Sequence, residues 1–290
     1  MQRITKEVDA SFDGKRIYEF LKNEMKLPTT LIKAAKYGGV FIGEECVTMR
    51  ATLKEGDTVT VVMPEEEGSD IAPIYMPLDV IYEDEYLIAV NKPRNTPTHP
   101  SRGNHLPTLA EGLAYYFKDK KFVFRAVGRL DRDTSGIVIV AKDRLSSARL
   151  SDSMKAGKFT KIYTALLVGT PEKKRGLIDA PIERECDDSI RRVVRSDGKR
   201  ALTEYEVISE EGGLSLCKMN LLTGRTHQIR VHAAHIGHPL YNDFLYGEKV
   251  RDGSYFLHCG YTSFPHPITE ELIEIQCDSD FEKDGKIAVL

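Results

Sequence analysis

The sequence predicts an α+β protein in which a small N-terminal module precedes a larger, strand-rich domain. Three observations carry this. Ile137-Val138-Ile139-Val140, followed by Ala141, is apolar at every position, and a short unbroken β-branched run reads as a strand buried on both faces. From residue 78 on, strand-like alternation dominates. The helical stretches are scattered among these strands and do not recur as regular β-α units. No internal repeat is present.

Taken in order, residues 1–63 form the module. Lys15 to Lys36 reads as two short helices around Leu27-Pro28-Thr29-Thr30, and Thr29 or Thr30 can N-cap the second, Leu31 to Lys36. Gly38-Gly39 ends it. Val40-Phe41-Ile42 and Thr58 to Met63 read as strands. Pro64, Glu65-Glu66-Glu67, Gly68, Pro73 and Pro77 make residues 64–77 a linker and 78–290 the second domain. There, Val80 to Tyr82 and Tyr86 to Val90 form a hairpin across Glu83-Asp84-Glu85. A proline-punctuated loop, Asn91 to Pro100, follows. Leu109 to Phe117 has helical spacing. Asp143 can cap a helix running to Met154 and stopped by Gly157. Phe159 to Val168, Ala201 to Ile208, Leu214 to Leu221 and Leu272 to Cys277 read as strands, and His227 to Ile236 as a helix closed by Gly237. Arg191 to Arg200, around Ser196-Asp197-Gly198, reads as a basic hairpin.

Composition narrows the function. Hydrophobic residues make up 41% and charged residues 29%, enough apolar content for a packed core. The net charge of −3 argues against nonspecific coating of nucleic acid and leaves room for local basic patches. Two such patches occur: six basic against two acidic residues from Lys15 to Lys36, and five basic residues against Asp197 from Arg191 to Arg200. A solvated helix face is the simpler reading of the first, and a phosphate-contacting platform the functional one. The five cysteines are scattered without a CxxC pair, which fits reduced thiols and neither a zinc ribbon nor a disulfide scaffold. Met1 to Ala10 has no apolar signal-like region, and no window approaches about eighteen apolar residues, so a soluble, cytoplasmic protein without membrane attachment is expected.

Four stretches concentrate polar groups. Ahead of the Ile137 strand, Arg129, Asp131, Arg132 and Asp133 flank Leu130 and lead into Thr134-Ser135-Gly136. A charged loop feeding a core strand holds chemistry at the edge of a rigid interior. The same residues also read as a solvated turn whose arginines and aspartates merely pair. In Lys161-Ile162-Tyr163-Thr164-Ala165, strand alternation puts Lys161, Tyr163 and Ala165 on one face. Tyr163 is there either a core aromatic with its hydroxyl at the edge or a ring that stacks on a flat ligand such as a base. Leu222 to Pro239 holds four of the eight histidines, and His232 and His235, three apart on a helix, could share a metal. Against a metal, there is no HExxH pattern and no nearby carboxylate until Asp243. Arg225, His227 and Arg230 read instead as groups meeting anions at a helix N-terminus. Leu257 to Tyr261 with Phe264 to Pro267 reads as a strand and turn.

Together these stretches resemble the RluA-type pseudouridine synthase family. The family's pieces are a "KP" loop after a hairpin, "RLDxxTSG" before an apolar strand, "K-x-Y-x-A" on the next strand, "TGRTHQIRVH", and "LHA" before "F-x-HP". Here they are Lys92-Pro93, Arg129 to Gly136, Lys161 to Ala165, Thr223 to His232 and Leu257 to Pro267, in that order within residues 78–280. The chain departs from the pattern at Gly128, where many members have His, at Arg94-Asn95, and at Cys259-Gly260. Residues 13–63 are similar to the Alpha-L RNA-binding motif through the two helices, "GGVFIGEE" and "LKEGDTVTV", with Gly43 in place of the usual Asn.

The resemblance implies a mixed, mostly antiparallel central sheet beside a small α/β RNA-binding module. It implies an isomerase that detaches uracil from its ribose, rotates it and rejoins it through carbon 5, with no cofactor and no metal. It assigns the nucleophile to Asp131, with Asp133 the competing carboxylate two residues on. Arg230 is its expected ion-pair partner. Tyr163 is expected to stack on the target base and serve in proton transfer, and Arg129 to fill the space a flipped base leaves. Lys92, Arg225, His227, Arg191 and Arg192, with Lys33 and Lys36 of the module, are the expected RNA contacts. The expected partner is RNA, ribosomal RNA first and transfer RNA second, and the expected state a monomer. A non-catalytic RNA-binding factor on the same fold is the competing reading, and a metal-dependent hydrolase the third.

Overall fold

The computed structural model describes residues 3–63, 68, 70–101 and 106–288. Residues 64–67 and 69 of the expected linker lie outside the described residues. In the module, β1 (Arg3–Glu7), β2 (Val40–Ile42), β3 (Glu45–Cys46) and β4 (Thr58–Val62) form an antiparallel sheet in the order β1-β4-β2-β3. Helices α1 (Ile17–Asn23) and α2 (Thr29–Ala34) supply Ile17, Phe20, Leu21, Leu31 and Ile32 to a core shared with Val40, Val59 and Val61 of the sheet. Strand β1 was not foreseen, because four of its five residues are exposed and it carries no apolar alternation. Neither Thr29 nor Thr30 caps α2. Both lie in its first turn, Pro28 occupies the N-cap with φ −55°, and no side-chain cap forms; the proline ring sets that dihedral instead.

The larger sheet is built from β5 (Asp79–Glu83), β6 (Leu87–Lys92), β7 (Ala126–Val127), β8 (Ser135–Ala141), β9 (Thr160–Val168), β10 (Arg175–Asp179), and, past a small pair, β11 (Ile182–Arg184) and β12 (Arg192–Val194), from β13 (Leu202–Glu211), β14 (Leu214–Leu221), β15 (Leu257–Pro265) and β16 (Leu272–Gln276). Its order is β10-β13-β14-β9-β15-β8-β6-β5, with β7 on β8 and β16 on β15. Neighbours are antiparallel except β15 and β8, which run parallel through His258↔Ser135 and Cys259↔Gly136. Strand β15 thus stands between two antiparallel halves. Gly136 permits the crossing: its φ is +108°, and a Cβ there would lie 2.3 Å from the Cys259 carbonyl oxygen, so a side chain cannot be accommodated. The unbroken run predicted as a core strand is one. Ile137, Val138, Ile139 and Val140 are 2% exposed or less, and burying each contributes about 1.5–3 kcal/mol.

Three helices pack around this sheet. Helix α3 (Leu109–Tyr116) starts in a capping box of Thr108 and Glu111. Helix α4 (Arg144–Lys155) is capped by Asp143, whose side chain accepts from the Ser146 amide, as the sequence predicts. Helix α5 (Gln228–His235) is followed by Gly237 at φ +83°. The first turns of α4 also reach the module. Leu145 is buried in the module's core, and Arg149 donates to the carbonyls of Met25 (3.1 Å) and Pro267 (3.0 Å). The basic stretch Arg191 to Arg200 does not fold on itself as expected. Its strand β12 pairs with β11, Lys199 bridges to Ile182, and the Arg195–Gly198 turn lies between those contacts. The partner strand lies upstream, so charge and turn residues alone did not reveal it.

Candidate active site

The loop after β7 carries Arg129 to Arg132 to the wall of a cleft of about 730 Å³. Segments far apart in sequence meet there: this loop, β9, the turn before α5, α5 itself and the start of β15. Asp131, Tyr163 and Arg230, the three expected catalytic residues, all line the cleft, as do Arg129, Arg225 and His227.

The two readings of the charged loop each describe one of its carboxylates. Asp133 is buried, takes two hydrogen bonds from Arg132 (Nε 3.1 Å, Nη2 2.9 Å) and one from Ser254 Oγ (3.0 Å), and does not line the cleft. It is the paired, structural aspartate. Asp131 is 31% exposed in its side chain and faces the cleft. Its Oδ2 lies 3.8 Å from both Arg230 Nη1 and His227 Nε2, separations beyond direct hydrogen-bond length.

Lys92, expected among the RNA contacts, is not at the surface. It is 0% exposed, and its Nζ donates to the carbonyls of Thr96 (2.8 Å), Pro93 (3.0 Å) and Arg132 (3.0 Å). Burial draws its pKa down to about 7, with the charges of Asp133 and Asp131 opposing. This ammonium ties the Pro93–Thr96 turn to the residue next to Asp131.

The expected Arg230–Asp131 pair is secondary. Arg230 Nε and Nη2 donate to Asp243 at 2.7 and 2.8 Å, leaving Nη1 turned toward Asp131. Asp243 is itself fully buried and also accepts the amides of Leu245 (3.0 Å) and Tyr246 (3.3 Å). The guanidinium lies 4.3 Å from the Tyr255 ring centroid and 4.9 Å from that of Tyr246. Burial is the largest single influence and works against its charge, but the hydrogen bonds to Asp243 together with the charges of Tyr255, Asp243 and Asp131 exceed it and raise its pKa above the usual arginine value. Sequence reasoning missed Asp243 as a site residue. The available signal was a carboxylate thirteen residues after an arginine that had to be buried.

Tyr163 is 6% exposed on β9, opposite Cys259 in the ladder. Burial, and then the neighbouring Cys259 thiol, hold its phenol well above the ordinary tyrosine range, so it is neutral at physiological pH. His227 has φ +57° and is mostly buried, with Nδ1 2.7 Å from the Tyr246 hydroxyl. Burial lowers its pKa. Gln228 fixes the preceding turn: its Oε1 accepts from Thr223 Oγ1 (2.9 Å) and the Arg225 amide (2.9 Å). Arg225 reaches the Arg200 carbonyl (3.0 Å), and Arg129 is exposed at the rim.

The other expected contacts lie off the cleft. Lys33 and Lys36 are exposed on the module, with Lys36 Nζ 5.1 Å from the Tyr37 ring centroid. Arg191 sits 3.5 Å from Glu185, and the Arg192 amide donates to the Tyr246 hydroxyl (2.8 Å). His232 spends both ring nitrogens, on Thr203 Oγ1 (2.8 Å) and the Ala180 carbonyl (2.9 Å), so it has none to share with His235. Among the described residues no helix is long and apolar enough to cross a membrane.

Comparison with known proteins gives one consistent result. The family model described as RNA pseudouridylate synthase matches residues 86–235. An uncharacterized RNA pseudouridine synthase of Bacillus subtilis, YjbO, is 38% identical over 86% of this chain and 90% of its own length. Ribosomal large subunit pseudouridine synthase D of Escherichia coli is 37% identical over 72% of this chain and 64% of its own. Among solved structures, human RNA pseudouridylate synthase domain containing 1 superposes with a TM-score of 0.60 at 28% identity, over 75% of this chain and 88% of its own.

Proposed function

This chain belongs to the RNA pseudouridylate synthase family, and from that premise we propose that it converts a specific uridine of ribosomal RNA to pseudouridine with Asp131 as the attacking carboxylate. The observation that carries the assignment is the division between the two aspartates. Asp133 is locked to Arg132 and Ser254 away from the cleft, while Asp131 faces it beside Tyr163 and Arg230. The reaction breaks the bond between uracil N1 and ribose C1′, forms one from C5 to C1′, and moves the proton from C5 to solvent while N1 gains one. A carboxylate suits the attack, as it does in glycoside chemistry. Arg230, whose guanidinium stays charged when buried, sets a fixed positive charge 3.8 Å from it.

Tyr163, held neutral by burial, offers a flat face to the base and a hydroxyl for proton transfer. The target nucleotide reaches it by flipping out of its stack, at a cost of roughly a few kcal/mol, with Arg129 at the rim filling the space it leaves. Residues 1–63 serve as an RNA-contacting module of the Alpha-L type, through Lys33 and Lys36, in front of the catalytic domain of residues 78–290. Ribosomal RNA is favoured over transfer RNA by the similarity to the Escherichia coli ribosomal large subunit pseudouridine synthase D. We take the protein to act as a monomer, which its mass in solution tests.

The test is release of tritium from RNA labelled at C5 of uridine. Asp131→Asn binds RNA and releases none; full release by this variant sinks the assignment. A pseudouridine map of total RNA from a strain lacking the protein identifies the target, and loss confined to transfer RNA refutes the ribosomal reading.

A further inference from the structure

Two side chains converge on one oxygen of Asp131: Arg230 Nη1 and His227 Nε2 both make their nearest approach at Oδ2, at 3.8 Å each. The His227 ring is held from its other side by the Tyr246 hydroxyl, 2.7 Å from Nδ1, with the two rings edge to face at 79°. That hydroxyl accepts the backbone N–H of Arg192 at 2.8 Å, which leaves its own proton to donate to Nδ1. Nδ1 then accepts and Nε2 carries the hydrogen. The opposite tautomer would set a bare lone pair against the carboxylate. His227 also holds φ +57°, a conformation uncommon outside glycine, and one that marks a side chain required at that spot.

We propose that His227 is a positioning residue. Its Nε2–H, with Arg230, holds Oδ2 of Asp131 and so presents Oδ1 to the substrate, and Tyr246 fixes the tautomer that makes this work. The inference rests on Asp131 being the reacting carboxylate. It replaces the expected RNA contact of His227 with a role inside the protein.

The test uses the full chain, with total RNA labelled at C5 of uridine from a strain lacking this protein. The readouts are the single-turnover rate at saturating enzyme and the enzyme concentration giving half that rate. His227→Asn tolerates the left-handed backbone and stays near Tyr246, but its amide ends short of Asp131. His227→Gln sets an amide N–H where Nε2 stands. The Asn variant loses about tenfold or more in saturating rate, the Gln variant recovers most of that loss, and half-saturation moves less than about twofold in both. Tyr246→Phe lowers the saturating rate in the same sense without altering the histidine. A purely structural role ranks the pair the other way, because Asn accepts positive φ more readily than Gln.

An Asn variant equal to or faster than Gln overturns the proposal. So does a loss confined to half-saturation, which would return His227 to RNA contact. Asp131→Asn separates the two readings. If it is inactive while both His227 variants match the wild type, positioning alone fails. If it is active, the carboxylate assignment fails, however the His227 variants rank.

Discussion

Lys92→Met asks whether this lysine supplies an internal clamp or a phosphate contact. Met keeps most of the side-chain volume and removes all three donors to the Pro93, Thr96 and Arg132 carbonyls. Two effects oppose. Burial lowers the lysine pKa from 10.5 to about 7, so at about 1.4 kcal/mol per pH unit the buried charge costs roughly 5 kcal/mol, which Met relieves. Against this, each buried carbonyl left without a donor costs about 1–3 kcal/mol. The terms nearly cancel, and the unfolding free energy in urea is expected to change by less than about 4 kcal/mol at neutral pH.

The sign of its pH dependence is fixed. The folded pKa lies below the unfolded one, so the unfolded chain binds more protons between pH 7 and 10.5, and wild-type stability rises relative to the Met variant across that window. The larger effect is local. Without the tie at Arg132 the Asp131 loop loosens, and the saturating tritium-release rate falls by about a hundredfold, the scale of a 1 Å misplacement, with RNA affinity unchanged. A saturating rate within about threefold of wild type, or a loss of affinity at intact rate, refutes the clamp.

Other perturbations follow from the same geometry. Gly136→Ala forces a Cβ to 2.3 Å from the Cys259 carbonyl oxygen at φ +108° and should cost about 3–5 kcal/mol in urea unfolding; an unchanged midpoint contradicts the close crossing of β8 and β15. Asp243→Ala strands the buried Arg230 charge and should destabilise by about 3–5 kcal/mol while abolishing tritium release; a stable, active variant means that Arg230 is not anchored there. Replacing Lys33 and Lys36 together by Ala should weaken RNA binding, reduce the slope of log affinity against log salt by about 1–2, and spare the rate at saturation. A slope equal to wild type removes the module's lysines from the RNA contact.

What could be read from the sequence followed the reach of the physics involved. The Ile137 to Val140 strand, the Asp143 cap and the Gly237 stop are local, and all three stand as expected. Asp131, Tyr163 and Arg230 do meet in one cleft, an arrangement that came from motif order and not from spacing. Lys92 was misplaced because a lysine after a strand defaults to the surface; the three carbonyls that bury it come from a turn and from a residue forty positions on. Asp243 and Tyr246 were missed because their importance lies in what they touch, Arg230 and His227, across a turn with no periodic pattern. The positive φ of His227 has no signature at all in a non-glycine residue.

The place of β15 sets when this enzyme comes into being. The half of the sheet that carries Asp131 leaves the ribosome first, and the half that carries Tyr163, with Arg230 on the helix after it, leaves second. These halves do not pair with each other. They meet through Leu257–Pro265, inserted between β8 and β9, in contacts such as Ser135 to His258 that span 123 residues. Pairings so distant close late and slowly. A growing chain can therefore display every reactive side chain and still have no catalytic centre. Activity arrives in one step, only after release of a strand that contributes no charged group to the chemistry.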